Sequence, residues 1–206
     1  MTETAGAIVA LRPEDHETES GARLASVGQP LPGVELRILD PAGQPLPPGE
    51  IGEIATRSLA NMTGYYNLPQ ATAATIDGEG WLHTGDAGYL DADGYLFLKD
   101  RIKDLIISGG ENVYPAEVEI AICDHPDVAE VAVIGVPDAK WGESVKAIVV
   151  AKPGTNPEAA SIIAWARARI AAYKTPRYVE FVAALPRNAS GKILRRELRE
   201  HHSRLE

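Results

Sequence analysis

The sequence has very little cysteine and no long apolar run. Its single cysteine among 206 residues, Cys123, excludes an intrachain disulfide and is typical of the reducing cytosol, so we expect a cytoplasmic location. No apolar stretch approaches the roughly 20 residues that span a bilayer. The apolar stretch 5–11 is short and follows an acidic segment, which argues against a secretory signal. Because Cys123 falls in a predicted helix, we expect it to be buried as a small apolar residue.

Motifs of several enzyme classes are also missing. The chain has neither a Walker-type phosphate loop nor a Rossmann glycine pattern. Its five histidines, which include the adjacent His201 and His202, lack the spacing of metal ligands. The Gly-x-Ser-x-Gly elbow of serine hydrolases is absent as well.

Charge is acidic overall and unevenly distributed. The net charge of −9 argues against general nucleic-acid binding. Residues 1–100 hold 5 basic and 15 acidic side chains, whereas residues 165–206 hold 10 basic and 4 acidic ones. The basic end is either a solvated surface helix or a face that suits a polyphosphate ligand. Charge alone leaves both interpretations open.

Residues 25–100 have the pattern of a small antiparallel β unit. Alternating apolar and polar residues predict strands at 34–39 and 51–56. Two apolar segments flank Asp91–Gly94, which predicts a hairpin because Gly94 readily takes a positive φ. The preceding residues 1–24 are loop-rich, and we expect 13–17 to be exposed.

The pattern changes to mixed α and β after Arg101, and we place a domain boundary at 101–104. Pro115 is typical of the first turn of a helix, because its missing N–H would be unpaired there anyway. The other predicted elements are strands at 105–107, 131–136 and 145–150, an Ala-rich helix at 158–172 and a charged terminal helix at 193–202.

Three sequence blocks follow one another in a specific order. They are Trp81-Leu82-His83-Thr84-Gly85-Asp86, the segment 99–119 with Ser108-Gly109-Gly110-Glu111-Asn112, and Asn188-Ala189-Ser190-Gly191-Lys192. In this order they resemble the adenylate-forming, AMP-binding enzymes, and most closely the acyl-CoA synthetases. The resemblance implies a mixed α+β fold. Residues 1–101 would be a small antiparallel β-barrel-like subdomain of a larger AMP-binding domain that is truncated at its N-terminus, and residues 102–206 a mobile α+β lid domain.

The resemblance implies that Asp86 and Arg101 hold the ribose of ATP. A carboxylate accepts hydrogen bonds from vicinal hydroxyls, and a guanidinium is a rigid donor for phosphate or ribose oxygens. Taken alone, Asp86 in a tight Thr-Gly-Asp turn is more simply an Asx turn. Arg101 alone is more simply a surface salt bridge with Asp100 or Asp104.

Other nucleotide contacts are implied near the N-terminus and after the paired glycines. Met1-Thr2-Glu3 matches the end of the family's Tyr-Gly-x-Thr-Glu motif, in which the Thr contacts the nucleotide and the Glu a magnesium ion. Asn112 is the remaining nucleotide-binding candidate. The Tyr-Gly of the motif is absent, and an unanchored N-terminus frays easily, so we expect Thr2 and Glu3 to be poorly formed here.

The second block is expected to serve thioester formation. The resemblance makes Lys103 the hinge about which the lid swings, and it places the paired glycines along the pantetheine tunnel. On its own the glycine pair is an ordinary strand-to-helix turn, and Trp141 a packing anchor. The candidate CoA-binding residues are Gly109, Gly110, Glu111, Trp141, Lys174 and Arg177.

Lys192 is the candidate catalytic residue. An ammonium about 4 Å from an anionic oxygen contributes on the order of 4 kcal/mol at an effective dielectric near 20. The resemblance implies that Lys192, on a flexible loop, bridges the acyl carboxylate and the α-phosphate during adenylation. In an arbitrary protein the same segment would be a helix start with a solvated lysine.

The implied function is that of an acid–thiol ligase that uses ATP, magnesium and CoA. The acid is converted to an acyl-adenylate and then transferred to CoA, and a fatty or other hydrophobic acid is our leading expectation. We expect the chain to lack ligase activity without the larger N-terminal domain of the same enzyme, and its exposed apolar surface to favour self-association. The alternatives are a ligase that loads a carrier protein, an oxygenating luciferase, and a binding module for nucleotide or CoA without catalysis.

Overall fold

The computed structural model describes residues 1–17 and 22–203, so residues 18–21 of the predicted N-terminal loop lie outside it. Among these described residues, no helix is long and apolar enough to cross a membrane. The strands are β1 (Val9–Ala10), β2 (Gln29–Pro30), β3 (Glu35–Leu39), β4 (Gly52–Arg57), β5 (Leu82–Leu90), β6 (Leu96–Arg101), β7 (Ile106–Ser108), β8 (Glu111–Val113), β9 (Val128–Asp138), β10 (Gly142–Ala151) and β11 (Tyr178–Phe181). The α-helices are α1 (Pro69–Thr75), α2 (Pro115–Cys123), α3 (Ala159–Arg167) and α4 (Arg195–His202).

The chain forms two compact units, within which residues lie close together in space. They are an N-terminal unit, Met1–Ile102, and a C-terminal unit, Lys103–Glu206. The division falls inside the segment 101–104. Ile102–Asp104 forms a single 3₁₀ turn there, and the Lys103 side chain is exposed. The mixed α+β class is confirmed, whereas the interpretation of the units as parts of a larger enzyme stays a prediction.

The N-terminal unit is built on an antiparallel sheet with the order β3-β4-β5-β6. The predicted hairpin is confirmed: Asp91 accepts hydrogen bonds from the backbone N–H groups of Asp93 at 3.0 Å and Tyr95 at 2.8 Å, which fixes the turn. Ile38, Ile54 and Leu96 form the core on one face. In the described residues this sheet stays open and does not close into a barrel.

The C-terminal unit is organised around the β9–β10 hairpin, which pairs continuously from Gly142 opposite Asp138 to Val150 opposite Glu130. Because side chains alternate along a strand, its two faces bury different residues. Val131, Val133, Val145, Ala147 and Val149 pack against α2 and α3, whereas Ala132, Ile134, Val136 and Ile148 pack with Leu198 of α4. Coverage on both faces explains why these strands read as continuous apolar runs.

Some elements differ from the sequence prediction. Helix α1 and strand β11 were not predicted, and β11 pairs in parallel with β10. The Ala-rich helix ends at Arg167 although no Gly or Pro marks its end, because the chain continues so that Ile170 packs against the core. Helix α4 begins at Arg195, after Ile193 pairs with Arg187 in an isolated bridge.

Two side chains differ in burial from the sequence prediction. Cys123 is exposed, so the prediction that it is buried is wrong. The buried positions of α2 are Pro115, Val118, Ala121 and Ile122, and Cys123 lies off that stripe. Asp15, in the segment expected to be exposed, is buried beside Tyr95, whose hydroxyl donates a 2.5 Å hydrogen bond to it. That hydrogen bond lowers the pKa of the Asp15 carboxyl.

The paired glycines form a strand-to-strand turn between β7 and β8, and not the strand-to-helix turn that the sequence suggested. Gly109 has φ 64° and Gly110 φ 86°, the conformation of a two-residue hairpin that favours glycine at both positions. A Cβ on Gly109 would lie 2.7 Å from Cε3 of Trp141, whereas a Cβ on Gly110 would meet nothing within 4 Å.

Replacing each glycine with alanine separates backbone strain from this clash. Gly110→Ala should lower the free energy of unfolding by about 1–2 kcal/mol, because only the left-handed backbone is penalised. Gly109→Ala should cost more, since Trp141 must also move. Chemical denaturation of both variants measures the difference, and equal losses would contradict the close packing of Trp141 on Gly109.

Candidate functional site

Asp86 and Arg101 lie opposite each other on β5 and β6. The Arg101 Nε atom is 2.7 Å from Asp86 Oδ1, and both side chains remain partly exposed, at 48% and 33%. The salt bridge suggested for Arg101 therefore forms with Asp86, while Asp104 is paired elsewhere. An exposed pair of this kind contributes at most about 1 kcal/mol to stability, so its accessible oxygen and nitrogen atoms are available to a ligand.

The predicted tight turn at Asp86 is wrong: the residue lies within β5, at an irregularity in its pairing with β4. Gly85 takes φ 69° there, and its N–H donates to Oε1 of Glu53 at 3.1 Å. The Thr84 hydroxyl donates to the carbonyl oxygen of Ile54 at 2.7 Å and accepts the N–H of Asp86 at 3.1 Å. The side-chain turn at this bulge is therefore made by Thr84, whose hydroxyl accepts the N–H two residues further on, and the Asp86 carboxylate pairs with Arg101 instead.

Burial raises the pKa of Asp86 above its ordinary value of 3.8, and the nearby Arg101 charge only partly opposes this. The side chain lines a pocket of about 260 Å³ whose other lining residues are mostly apolar and include Met1, Ile54 and Leu98. The amino-terminal charge and Glu3 also act on the carboxyl. The structure therefore brings the Thr2–Glu3 segment, Asp86 and Arg101 into one neighbourhood.

The N-terminal segment is anchored, so the expectation of a poorly formed end is wrong. Thr2–Thr4 forms a 3₁₀ turn. The carbonyl oxygen of Glu3 accepts the N–H of Met62 at 2.7 Å, and its carboxylate accepts the Tyr65 hydroxyl at 3.1 Å. In the part of the chain that is described, no cluster of three or more acidic, His or Cys side chains could hold a metal. A lone carboxylate nevertheless fits magnesium that keeps its waters and is held mainly by substrate phosphates.

In the C-terminal unit the glycine hairpin, Trp141 and Arg177 form one cluster. The Gly109 N–H donates to the carbonyl oxygen of Trp141 at 2.8 Å, and the Arg177 guanidinium lies 4.5 Å from the centre of the indole ring. Lys174 is held apart, with its ammonium 2.7 Å from the Glu117 carboxylate. Glu111 and Asn112 are exposed on β8.

Lys192 lies on a loop whose backbone is held by side-chain hydrogen bonds, and the flexibility expected for this loop stays a prediction. The Asn188 amide oxygen accepts the backbone N–H groups of Ser190 at 3.0 Å and Lys192 at 2.9 Å. Arg187 donates to the carbonyl oxygen of Gly191 at 2.7 Å and pairs with Glu130 at 2.6 Å. These contacts define the backbone conformation of the loop, while the Lys192 side chain stays exposed.

The two candidate surfaces of the C-terminal unit lie at opposite ends of the β9–β10 hairpin. Trp141 follows Asp138 in the connecting turn, whereas the Lys192 loop is tied to Glu130 near the other end. Asp138 is eight positions after Glu130, and at about 3.3 Å per position this length of strand is roughly 26 Å. Lys192 and the glycine hairpin thus belong to different surfaces of one unit.

A groove of about 640 Å³ in the C-terminal unit is lined by the candidate residue Arg177 and by a group of paired ionisable side chains. Within that group Lys146 pairs with Glu180 at 2.9 Å, and Glu180 also pairs with His202 at 2.7 Å. The groove lies beside the C-terminal end of α4, whose partial negative charge disfavours an anionic ligand.

Sequence reasoning missed the residues that hold the candidate side chains in place. Glu53, Asn188, Arg187 and Glu130 were not singled out. Asn188 had a detectable signal, since Asn often accepts hydrogen bonds from the backbone two residues on in a turn. The other three act across distant strands or loops, and no local pattern marks them.

Two family patterns match the chain. The AMP-binding enzyme pattern matches residues 1–66, and the AMP-binding enzyme C-terminal domain pattern matches residues 117–192. The chain belongs to the adenylate-forming, AMP-binding enzyme superfamily. The resemblance that the three sequence blocks suggested is therefore confirmed at the level of the superfamily. Asp86, Arg101 and Lys192 are candidate residues in a member of that superfamily.

Curated relatives and solved structures agree with this assignment. The chain is 48% identical over 200 residues to the fatty acid–[acyl-carrier-protein] ligase ScoC of Streptomyces coeruleorubidus, covering 97% of this chain and 38% of ScoC. It is 50% identical over 199 residues to the 2-succinylbenzoate–CoA ligase of Geobacillus kaustophilus, covering 97% of this chain and 39% of that ligase. The chain therefore spans about two fifths of the length of these relatives.

A solved structure of o-succinylbenzoate CoA synthetase from Bacillus subtilis, in complex with its acyl-adenylate intermediate, matches with a TM-score of 0.88 at 43% identity. The match covers 96% of this chain and 39% of the synthetase. The same synthetase in complex with ATP and magnesium ion matches with a TM-score of 0.85 at 41% identity, over 97% of this chain and 40% of the other.

The raised pKa of Asp86 predicts a pH-dependent stability difference. Above its folded pKa the ionised carboxylate costs stability, and this cost disappears as pH falls below the ordinary value of 3.8. Wild type should therefore gain stability relative to Asp86→Asn as pH is lowered through that window. Thermal unfolding of both proteins between pH 7 and pH 3 measures the difference. If acidification instead stabilised Asp86→Asn relative to wild type, burial of the carboxylate would not be the cause of the pH dependence.

Proposed function

We propose that this chain is the C-terminal part of an AMP-forming acid–thiol ligase that acts with a larger N-terminal domain of the same enzyme. The single observation that carries the proposal is the Asp86–Arg101 pair, poised beside a pocket in a member of the adenylate-forming superfamily. The chain's coverage of about 40% of its relatives supports the presence of a further domain.

The proposed reaction has two substitution steps and no redox change. In the first, a carboxylate oxygen of the acid attacks the α-phosphorus of ATP, and the bond to pyrophosphate breaks, which gives the acyl-adenylate. In the second, the thiolate of the acceptor attacks the acyl carbon, the bond to AMP breaks, and a thioester forms. The thiol proton leaves to solvent, and AMP departs as the leaving group.

The N-terminal unit would hold the nucleotide. Asp86 would accept hydrogen bonds from the ribose hydroxyls, and Arg101 would donate to ribose or phosphate oxygens. Thr2 is a further proposed nucleotide contact in this unit, and Asn112 of the C-terminal unit is another. Glu3 would complete the coordination of a magnesium ion held mainly by the phosphates, and that ion would screen their negative charge.

The C-terminal unit would serve the two steps with its two surfaces, turning about Lys103 between them. Lys192 would stabilise the negative charge that develops on the carboxylate and α-phosphate during adenylation. The surface with Gly109, Gly110 and Glu111 would then line the path of the pantetheine arm, with Trp141 as its wall. Arg177 and Lys174 would contribute positive charge near the CoA phosphates. The location of the two surfaces at opposite ends of the β9–β10 hairpin supports their use in turn rather than together.

CoA is our first choice of acceptor because most of the similar enzymes are named as CoA ligases. A carrier-protein acceptor is the second candidate, and the 48% identity to ScoC favours it. A fatty or other hydrophobic acid is the proposed substrate. Supplying purified acyl-adenylate with either CoA or a phosphopantetheinyl carrier protein, and measuring thioester formation, decides between the acceptors.

We further propose that the 206-residue chain alone lacks complete ligase activity and works in the cytoplasm. The single free cysteine supports a reducing compartment. Exposed apolar side chains that include Leu59, Tyr66 and Ile120 support self-association of the isolated chain. Acyl-CoA formation by the pure chain would contradict the first of these statements, and a monomer at high concentration would contradict self-association.

Replacing Lys192 with alanine in the full-length ligase tests its catalytic role. An electrostatic contribution near 4 kcal/mol corresponds to a loss of about a thousandfold in the adenylation rate, measured as pyrophosphate release. Thioester formation from supplied acyl-adenylate should stay within a few-fold of wild type. Lys152→Ala, a lysine outside the candidate sites, is the control. Unimpaired adenylation in Lys192→Ala would refute the assignment.

A further inference from the structure

Asp104 is a buried carboxylate directly after the proposed hinge residue Lys103. Its side chain is only 7% exposed and lies 2.5 Å from Nη2 of Arg199 and 3.9 Å from Nη1 of Arg195. Both arginines belong to α4, which lies more than ninety residues further along the chain. The first residues of the C-terminal unit are therefore joined to its last helix by charge.

Arg195 carries the network further. Its Nη2 atom contacts both carboxylate oxygens of Glu119, at 2.7 and 2.8 Å, and Glu119 also accepts the backbone N–H of Val133 at 2.8 Å. A cation at the first turn of a helix opposes the helix dipole, so Arg195 does not stabilise α4 by its position alone. Its place is explained by the two carboxylates that it contacts.

The network reaches Lys192 through the start of α4. Arg195 is only three residues beyond Lys192, and the intervening Leu194 donates its backbone N–H to the carbonyl oxygen of Pro186 at 2.9 Å. Leu198, one turn into the helix, is 1% exposed in the core beneath. A shift of α4 would therefore move both ends of the Lys192 loop.

We propose that Asp104 and Arg199, together with Arg195 and Glu119, are positioning residues for Lys192. They make the residue after the hinge, α4 and the Lys192 loop move as one rigid body, so that rotation at Lys103 delivers the ammonium to a defined place. The inference rests on the proposed function. Buried ion pairs add little net stability compared with apolar packing, which leaves orientation as their contribution here.

The first test uses the full-length ligase and compares Arg199→Met with Arg196→Met. Arg196 is the matched control, since it lies on the same helix with its side chain 85% exposed and, within the described residues, its ion pair is with Glu200 at 3.4 Å. Arg199→Met should slow adenylation at saturating ATP and acid by at least tenfold. Its thioester formation from supplied acyl-adenylate should stay within twofold, as should both half-reactions of Arg196→Met.

A conservative variant guards against simple misfolding. Arg199 contacts Asp104 through one nitrogen, so Arg199→Lys can keep the charge pair and should recover most of the adenylation rate. An equal fall of both half-reactions in Arg199→Met, or unchanged adenylation, would overturn the proposal, because a general loss of structure does not select one half-reaction.

The second test needs no activity and uses hydrogen exchange in the 206-residue chain. In Arg199→Met the backbone N–H groups of Lys192 and Leu194 should exchange at least tenfold faster, with Ile148 in β10 unchanged. Unaltered exchange at Lys192 and Leu194, or equal acceleration at Ile148, would overturn the positioning role. If wild-type ligase released no pyrophosphate at all, the proposed function would fail, and the exchange result alone would still decide the role of the network.

Discussion

The β9–β10 hairpin is the constraint on which the C-terminal unit depends. Its paired backbone runs without a break from Gly142 to Val150, and its side chains are buried on both faces. Helices α2 and α3 pack on one face and α4 on the other, so each is fixed relative to the same rigid ladder. The loops that carry Trp141 and Lys192 inherit their positions from it. A unit built this way can turn as a body without changing internally.

Polar side chains then set details that apolar packing leaves open. Glu53 fixes the bulge that aims Asp86, and Asn188 and Arg187 fix the loop that presents Lys192. In each case a polar side chain holds backbone atoms, while the residue with proposed chemistry keeps its own side chain accessible. Because the backbone around these residues is already ordered, less of its conformational entropy is lost when a ligand binds.

The sequence predicted features that depend on local chemistry. The Asp91–Gly94 hairpin and the helix start at Pro115 were both correct, because a glycine with positive φ and a proline without an N–H act within a few residues. The three family blocks identified the superfamily and named Asp86, Arg101 and Lys192 as candidates. Pairing across strands was out of reach, since the Asp86–Arg101 contact depends on the register of β5 and β6. The predictions of where α3 ends and of a buried Cys123 failed for a related reason, because packing in the folded unit decides both.

The exposed Cys123 has a practical consequence. Since it is the chain's sole thiol, a maleimide fluorophore or spin label attaches at one defined point on the outer side of α2. Burial of part of the side chain raises the pKa of the thiol, so coupling calls for mildly alkaline solution. Paired with a second dye on the neighbouring domain of an assembled enzyme, such a label would convert each reorientation of the C-terminal unit into an optical signal.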